Sequence, residues 1–480
     1  MNIKEHPAEK TPYPHRWRIL FVLLVAMFMS HISISNINVL LPSIQEGIGA
    51  TQSQLQWILA GYTLTFGMVL IPAGRAGDFF GRRNLFIWGV TIFTVASVWA
   101  VLAPDPTILI MARLLQGVGS GLINPQGIGV IQQYFSGAER GRAFGSFGAT
   151  VGVATAVGPL IGGLIVGLVG VENGWRATIA LNIPLGLLAI VMAFLWIPKP
   201  APEDRPQGSL STQLKHLDTF GVILIGLGVL GVLLPFVESA ASALFWLALP
   251  AGITIIWLWI RWEKRQEKLD LFPMVKLTAF KISSFRNGVV IGTFYFMGFT
   301  SIWVLMALYM QDGLGHTAFA AGIIGLPSAI ATAVSSTISG RLVSVYGRKV
   351  VIWGIYLAIF GLISTGVVTQ LRALDLASEW WLLLTLAFIG IAQGAVISPN
   401  HTLTLAEVKA ADSGSLGGVM QTGQRMGTSI GIALITAVSF SVLNVASWAV
   451  AVSVGILMML FVLIFVLFVA YADAKPQSKI

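Results

Sequence analysis

The chain has 480 residues, of which 56% are hydrophobic and only 10% are charged, and its mean hydropathy is +0.83. This composition excludes a soluble globular protein, because the polar residues are too few to cover a folded surface of this size. The absence of cysteine excludes disulfides, thiolate metal ligands and cysteine nucleophiles. The net charge of +9 requires no nucleic-acid partner, because basic loops beside anionic lipid account for it.

Apolar stretches of about 20 residues, the length that a helix needs to cross the hydrocarbon layer, recur along the whole chain. We predict fourteen membrane-spanning helices and no large soluble domain. In chain order the predicted spans are 17–41, 54–73, 84–103, 107–134, 141–170, 176–197, 219–237, 241–261, 285–310, 318–341, 349–369, 380–399, 414–438 and 446–471.

Two polar segments share one sequence frame. GRAGDFFGRR (Gly74–Arg83) and GRLVSVYGRK (Gly340–Lys349) have the same spacing of glycines and basic residues. A repeat at this scale predicts an all-α polytopic membrane protein with two related halves, which is an architecture of transporters. The distance between the copies corresponds to eight spans, so we predict two six-helix halves separated by two inserted helices. The predicted units are a tail (1–16), an N-terminal half (17–197), linkers with the inserted helices (198–284), a C-terminal half (285–471) and a second tail (472–480).

The basic residues predict the orientation, because Lys and Arg beside spans stay preferentially in the cytoplasm. With the N-terminus inside, nearly all of them lie on the cytoplasmic side. Arg176 and Arg372 lie outside, and Arg113 and Arg425 lie within predicted helices. We therefore expect both termini in the cytoplasm.

Sites for metals, nucleotides or catalysis are not apparent in the sequence. The histidines and carboxylates are dispersed without metal-ligand spacing, and there is no Walker A loop. A polytopic enzyme should show acids, histidines or serines clustered at one membrane face, and none is apparent. We expect no metal, no cofactor and no enzymatic activity, and a non-transporting receptor is an alternative from another class.

Glycines and arginines form three motifs in the N-terminal half. Together with the inserted helix pair, these motifs resemble those of the major facilitator superfamily, in particular its 14-helix branch of drug:proton antiporters. The motifs are Gly74, Asp78, Gly81, Arg82 and Arg83 after the second span, Arg113, Gln116, Gly117 and Gly119 in the fourth, and Gly148, Gly152, Gly158, Pro159, Gly162 and Gly163 in the fifth.

The resemblance implies a conformational latch in the first motif that stabilises the outward-facing state. Its members would be Asp78, Arg82 and Arg83, with Gly74 and Gly81 allowing helix ends to approach. The alternative is that the arginines only obey the positive-inside rule. The second copy has Ser344 in place of the acid, so we expect a weaker latch there or none.

The resemblance also implies that the fifth helix bends and gates the pathway, whereas the alternative is ordinary close packing of small residues. The predicted gating residues are Gly152, Gly158, Pro159, Gly162 and Gly163.

Two arginines lie inside predicted spans, where a cation costs several kcal/mol unless it faces a cavity or a partner. For Arg113 the resemblance implies a role in proton coupling or in binding a negative group. The alternative is a structural arginine bonded to backbone carbonyls of a neighbouring helix. Arg425, with Gln421 and Gln424, forms a second polar cluster, which we place near the cytoplasmic end of its helix in a structural role.

The first span departs from the pattern of the branch. HISISNINVLLP (His31–Pro42) has Ser33 where the resemblance implies a membrane-embedded aspartate that binds a proton or a cationic drug. Serine does not titrate in this range, and no predicted span carries an acid near its middle. His31 is the nearest titratable group and can exchange protons near neutral pH, although a histidine hydrogen-bonded within the helix is the alternative. An arginine without a mid-membrane acid favours neutral, zwitterionic or anionic substrates.

A central cavity near the bilayer midplane is expected between the halves, with aromatic faces that suit amphipathic ligands. The alternative for each aromatic residue is packing within the bundle or against lipid. The candidate lining residues are Ser33, Asn36, Trp57, Tyr62, Gln116, Asn124, Gln126, Phe294, Phe296, Trp303, Asn400 and His401.

These observations predict a proton-coupled exporter of hydrophobic or amphipathic small molecules in a bacterial cytoplasmic membrane. We expect it to work as a monomer by alternating access, with the proton gradient as its energy source. The alternative is an exporter or facilitator of a dedicated neutral or anionic metabolite or lipid-like compound, without proton coupling.

Overall fold

The structure is a computed structural model that describes residues 13–199, 218–237, 243–269, 271 and 273–474. These residues contain fourteen helices long and apolar enough to cross a membrane, which confirms the predicted number. Most of the predicted linker 198–218 and parts of the tails 1–16 and 472–480 lie outside the described residues. The helices are α1 Arg16–Ser35, α2 Gln52–Phe80, α3 Arg82–Val101, α4 Pro106–Tyr134, α5 Gly137–Val169, α6 Val171–Trp196, α7 Thr219–Phe236, α8 Leu244–Lys268, α9 Ser283–Gly313, α10 Ala320–Tyr346, α11 Arg348–Ala373, α12 Glu379–Thr404, α13 Ala410–Leu443 and α14 Trp448–Ala474.

The start of α1 and the end of α14 lie on the same side of the bundle, because an even number of spans separates them. We call this side the terminal face and the other side the opposite face. The turns from α2 to α3 and from α10 to α11 lie at the terminal face. They contain the two copies of the repeated frame.

The second glycine of each frame has a backbone conformation that favours glycine. Gly81 separates α2 from α3 with a φ of 91°, and Gly347 separates α10 from α11 with a φ of 53°. A side chain at such an angle would clash with its own backbone. Both positions are therefore explained by a positive φ at the junction between two helices.

The first glycine of each frame lies where the two halves touch. A Cβ atom on Gly74 would collide with the backbone of Gly414 in α13, and one on Gly340 would collide with the carbonyl oxygen of Gly141 in α5. Two equivalent helix crossings, α2 with α13 and α5 with α10, thus hold the halves together near the terminal face. Such close approach of backbones requires residues without side chains.

We predict that Gly340→Ala prevents the terminal face from closing. Its Cβ would meet backbone atoms, which cannot move aside as a flexible side chain can. Transport should slow more than about tenfold, since overpacking costs about 1–3 kcal/mol. Gly322→Ala is the matched control on the same helix, because nothing lies within 4 Å of a Cβ atom there. Equal transport rates in the two variants would contradict this account.

The inserted helices α7 and α8 pack against each other, and α7 also lies against α2 and α13. Gly67 of α2 makes room for Leu233 and Val229 of α7. The pair therefore covers α2 on the flank of the crossing between the halves. α8 continues to Lys268, beyond the predicted end at 261, because the charged residues that follow are good helix formers outside a membrane.

The prediction of one continuous helix over residues 17–41 is wrong. α1 ends at Ser35, and a second helix, Ile37–Ile48, follows after Asn36. Pro42 lies inside this second helix, where its missing N–H group leaves the carbonyl oxygen of residue 38 without a helical donor. The hydroxyl of Ser35 donates to the carbonyl oxygen of Ala154 in α5 at 2.9 Å and fixes the break against that helix.

Candidate functional site

A buried ion pair lies at the terminal face, where α2 meets α13. The Arg82 guanidinium and the Asp78 carboxylate are 2.8 Å apart, and the two side chains are 8% and 2% exposed. Asp78 also accepts hydrogen bonds from the backbone N–H groups of Gly414 at 3.1 Å and Ser415 at 2.9 Å. The carboxylate therefore caps the start of a helix that belongs to the other half, where the helix dipole favours negative charge.

Arg82 connects both halves through its remaining donors. Within the N-terminal half it donates to the carbonyl oxygen of Gly129 at 2.5 Å and to Gln133 at 3.2 Å. Towards the other half it donates to the Ser413 hydroxyl at 3.1 Å and to the carbonyl oxygen of Ala410. We call Asp78 and Arg82 with these partners the latch.

The described residues form five hydrogen bonds between the two halves, and all five lie at the terminal face. Four of them belong to the latch. The fifth runs from Gln132 of α4 to the carbonyl oxygen of Leu405 at 2.9 Å. The structure is therefore closed at the terminal face.

The other predicted latch residues have different contacts. Arg83 donates to the carbonyl oxygens of Ile197 at 2.7 Å and Phe194 at 3.2 Å, so it holds the end of α6 within its own half. Gly74 provides the close approach to α13, and Gly81 provides the turn. Their functional role stays a prediction.

The second copy of the frame forms no equivalent latch among the described residues. Ser344, which replaces the acid, donates to the carbonyl oxygen of Arg341 in its own helix. Arg348, which replaces Arg82, binds Asp473 of α14 at 2.5 Å and Asn400 of α12 at 2.6 Å. Both partners belong to the same half, so the polar latch is present at only one of the two crossings.

The predicted gating residues of α5 contact two different helices. Gly152 lies against Thr332 of α10, in the other half. Gly158 and Gly162 lie against Ser35 and Asn36, at the break that follows α1, and Gly163 lies against Val39. Pro159 is inside α5 and leaves one backbone carbonyl without its helical donor.

Arg113 lies buried in α4, with only 1% of its surface exposed. It donates to the carbonyl oxygen of Ile58 at 3.1 Å, to the Ser33 hydroxyl at 3.1 Å and to the Gln116 side chain at 2.9 Å. Its guanidinium carbon is 4.5 Å from the centroid of the Tyr62 ring. Ser33, at the position where the resemblance implies an aspartate, thus accepts a hydrogen bond from this arginine, and no described carboxylate pairs with Arg113.

The hydroxyl of Tyr62 belongs to a second network on the same side of α2. It bonds with the hydroxyls of Ser30, at 3.2 Å, and Ser120. The hydroxyl oxygens of Ser30 and Ser120 are 2.8 Å apart, and the side-chain amide of Asn124 donates to the Ser30 hydroxyl at 3.4 Å. α1, α2 and α4 are therefore joined by neutral polar groups beside the buried cation.

Arg425 lies near the middle of α13, so the sequence prediction that placed it near the cytoplasmic end is wrong. It is the sixteenth of the 34 residues of α13. Its guanidinium carbon is 4.6 Å from the centroid of the Phe66 ring in the other half. The arginine therefore faces the N-terminal half near the middle of its helix.

Every aspartate and glutamate in the fourteen described helices lies near a helix end. The centre of the bundle therefore combines two arginines, one histidine and several hydroxyls with no carboxylate. Such a site offers hydrogen-bond donors and positive charge, and it has no group that replaces the hydration shell of a cation.

The sequence pattern of the Major Facilitator Superfamily matches residues 23–260 and 288–480. The chain belongs to this superfamily. The match confirms the resemblance drawn from the motifs. Members of the Major Facilitator Superfamily are secondary transporters, and this chain is therefore a transporter and not an enzyme, embedded in a membrane and acting on a small molecule.

Relatives of this superfamily member carry the names of antibiotic and drug transporters. A "Probable actinorhodin transporter" of Streptomyces coelicolor is 30% identical over 437 residues, which are 90% of this chain and 74% of the relative. The "Puromycin resistance protein pur8" of Streptomyces alboniger is 30% identical over 91% of this chain and 84% of the relative. The "Multidrug resistance protein Stp" of Mycobacterium tuberculosis is 26% identical over 86% and 74%.

Solved structures of the superfamily share the fold. The human organic anion transporter MFSD10 (TETRAN) aligns with a TM-score of 0.67 at 12% identity, over 95% of this chain and all of that one. The proton:xylose symporter XylE aligns with a TM-score of 0.65 at 16% identity, over 94% and 95%. These similarities confirm the major facilitator fold with fourteen spans.

The predicted cavity residues of this superfamily member fall into two groups. Eight of them are buried in helix packing, and the other four are partly exposed. His401 is an example of the first: it bonds Gln424 at 2.9 Å, and the rings of Phe144 and Phe147 lie edge-on to it. Also buried are Ser33, Asn36, Tyr62, Gln116, Asn124, Gln126 and Asn400, whereas Trp57, Phe294, Phe296 and Trp303 are partly exposed. The proton-coupling candidate His31 is also partly exposed.

The sequence gives no signal for several members of the site. Ser30 and Ser120 are ordinary small residues of apolar helices, and only the packing shows that they bond Tyr62. Ser413 and Gln132 lie outside the recognised motifs. Arg425 is visible as an intramembrane cation, but its position opposite Phe66 depends on how the two halves meet.

Proposed function

We propose that the protein exports hydrophobic or amphipathic small molecules from a bacterial cell by alternating access, with the proton gradient as its energy source. The latch carries this proposal. It closes the terminal face with two residues that sit on one crossing only, so a modest change in their contacts can release the halves. The names of the relatives, which include antibiotic and multidrug resistance proteins, support export.

The proposed orientation places the terminal face in the cytoplasm of a bacterial inner membrane. Arg82, Arg83, Arg140 and Arg142 lie at this face, and the positive-inside rule assigns such a cluster to the cytoplasm. The closed terminal face then corresponds to an outward-facing state. Both halves and the central site belong to one chain, so we propose that a monomer is sufficient.

His31 is the proposed proton carrier. Its Nδ1 atom is 2.9 Å from the carbonyl oxygen of Met27, which fixes that nitrogen as the donor and leaves Nε2 to accept a proton. The side chain is partly exposed, and no described carboxylate lies near the centre of the bundle. No cofactor is required for this chemistry.

A second candidate function is export, or facilitated movement, of a dedicated neutral or anionic metabolite or lipid-like compound without proton coupling. The hydrogen bond between Ser33 and Arg113 favours it, because a serine replaces the acid that would bind a proton or a cationic drug. In this case the gradient of the substrate, or the membrane potential acting on its charge, would drive transport.

Transport into proteoliposomes containing the purified full chain separates the two candidates. The substrates are three pyrene derivatives with the same apolar body: pyrenemethylammonium, pyrenemethanol and pyrene-1-sulfonate. Under the first candidate a pH gradient drives accumulation of at least one derivative. Under the second, transport occurs but does not respond to the pH gradient.

We predict that His31→Gln abolishes accumulation driven by a pH gradient while exchange without a gradient continues. The amide keeps a polar group of similar size but carries no titratable proton. His15→Gln is the matched control, because His15 is exposed at the terminal face. Gradient-driven accumulation by the His31→Gln protein at the wild-type rate would remove His31 from the mechanism.

A further inference from the structure

Arg425 is a cation at the centre of the membrane whose guanidinium is not engaged. Among the described residues it forms neither a hydrogen bond nor an ion pair, and its only specific contact is the face of the Phe66 ring at 4.6 Å. The side chain is partly exposed, unlike that of Arg113, so its donors face the space between the halves. A guanidinium at this depth requires water or an anionic ligand.

Two aromatic rings of α2, Phe66 and Tyr62, lie next to each other near Arg425, and an arginine lies over each ring. The centroids of the Phe66 and Tyr62 rings are 6.1 Å apart, and Arg113 lies over Tyr62 as Arg425 lies over Phe66. α2 thus presents two neighbouring rings, each with a guanidinium beside it. No described carboxylate lies at this depth to neutralise either charge.

The chemistry of the Arg425 guanidinium indicates which ligand it binds. Its planar set of five donors matches the two oxygens of a carboxylate or the oxygens of a sulfonate, and such charge-assisted bonds are about twice as strong as neutral ones. The neighbouring Phe66 and Tyr62 rings are themselves buried, so other side chains contact the apolar body of the ligand. A cationic ligand would meet two positive charges without any compensating group.

We propose that the substrate is an amphiphile with one anionic group, and that Arg425 binds this group. This inference rests on the proposed export function and specifies its substrate class. The inside-negative membrane potential then contributes to export, since 100 mV acting on one charge corresponds to about a 50-fold concentration ratio.

Binding of the three pyrene derivatives to the full chain in lipid nanodiscs tests the inference without transport. Tritiated probes are used, and protein-free nanodiscs give the background. We expect pyrene-1-sulfonate to bind at least about tenfold more tightly than pyrenemethylammonium, since hydrogen bonds to a charged group are worth roughly one to two powers of ten. Equal affinity for the two probes, or tighter binding of the ammonium, overturns the proposal.

Substitutions assign the preference to Arg425. Arg425→Gln should lose about tenfold in sulfonate affinity and leave pyrenemethanol binding unchanged, and Arg425→Lys should recover part of the loss. Arg286→Gln, at an exposed residue near the terminal face, changes the net charge equally and should have no effect. An equal loss for all three probes in Arg425→Gln would show a packing role and would overturn the proposal.

Transport separates the failure of this inference from the failure of export. In proteoliposomes a potassium gradient with valinomycin imposes a potential without a pH gradient, and sulfonate movement should follow that potential. If no probe moves, export fails while the binding preference stands. If pyrenemethanol moves and the sulfonate neither binds nor moves, export stands and the anionic substrate class is wrong.

Discussion

Replacing Arg82 with alanine is expected to open the terminal face and to reduce transport more than about a hundredfold. Arg82 donates to Asp78 and Gly129 in its own half and to Ser413 and Ala410 in the other. Without it the buried Asp78 carboxylate loses its counter-charge, and breaking such a pair costs about 3–5 kcal/mol. That cost falls on the closed conformation, because the contacts across the halves exist only there.

The expected shift in the ratio of closed to open protein in Arg82→Ala is large enough to measure. A loss of about 4 kcal/mol changes the ratio of closed to open protein by roughly three powers of ten. The chain contains no cysteine, so spin labels attach only to introduced ones. Labels at Arg142→Cys and Ser344→Cys, both exposed at the terminal face, report the opening as a longer distance in pulsed electron resonance.

Arg83→Ala is the matched control for this experiment. It removes a neighbouring arginine of the same motif, but one that bonds only to the end of α6 in its own half. The label distance should therefore remain at its wild-type value. If Arg82→Ala also leaves the distance unchanged, the closed state does not depend on the latch, and the glycine crossings alone hold it.

The latch shows what a sequence can and cannot reveal at such a site. The spacing of Gly74, Gly81 and their repeats is readable, because a close backbone approach and a positive φ both require glycine. The partners of Arg82 in the other half are not readable. They are a backbone carbonyl and a serine more than 300 residues away, and neither residue type signals that role.

The central site shows the same limit from a different cause. The sequence shows Ser33 where the resemblance implies an acid, but it does not show that the hydroxyl of Ser33 accepts a hydrogen bond from Arg113. The depth of Arg425 and its position over Phe66 depend on the crossing of α2 with α13. A span prediction gives the ends of helices only approximately, and it gives no rotation about their axes.

Arg113→Met is expected to reduce transport more than about tenfold while leaving the protein folded. The substitution removes the hydrogen bonds to Ile58, Ser33 and Gln116 and keeps an apolar chain of similar length. It also removes a buried charge for which no described carboxylate compensates. Apolar replacement of a buried charge is often neutral or stabilising, so the thermal unfolding midpoint should stay within a few degrees of wild type.

This result distinguishes the two interpretations of Arg113. A purely structural arginine would be needed for the packing of α1, α2 and α4, so its loss would lower stability and transport together. A functional arginine is retained despite the cost of its burial, and its loss should reduce transport more than about tenfold through the missing charge alone, since bonds to a charged group are worth about 1.5–3 kcal/mol.

Gln116→Met is the control for the Arg113 experiment, because it removes the amide that accepts from Arg113 and donates to Ser97 but keeps the charge. Its transport should fall less than that of Arg113→Met. Both proteins are compared in the same lipid, by thermal unfolding and by pyrene uptake in parallel. A large drop in the unfolding midpoint of Arg113→Met, with transport falling only in proportion to the folded fraction, would establish the structural role.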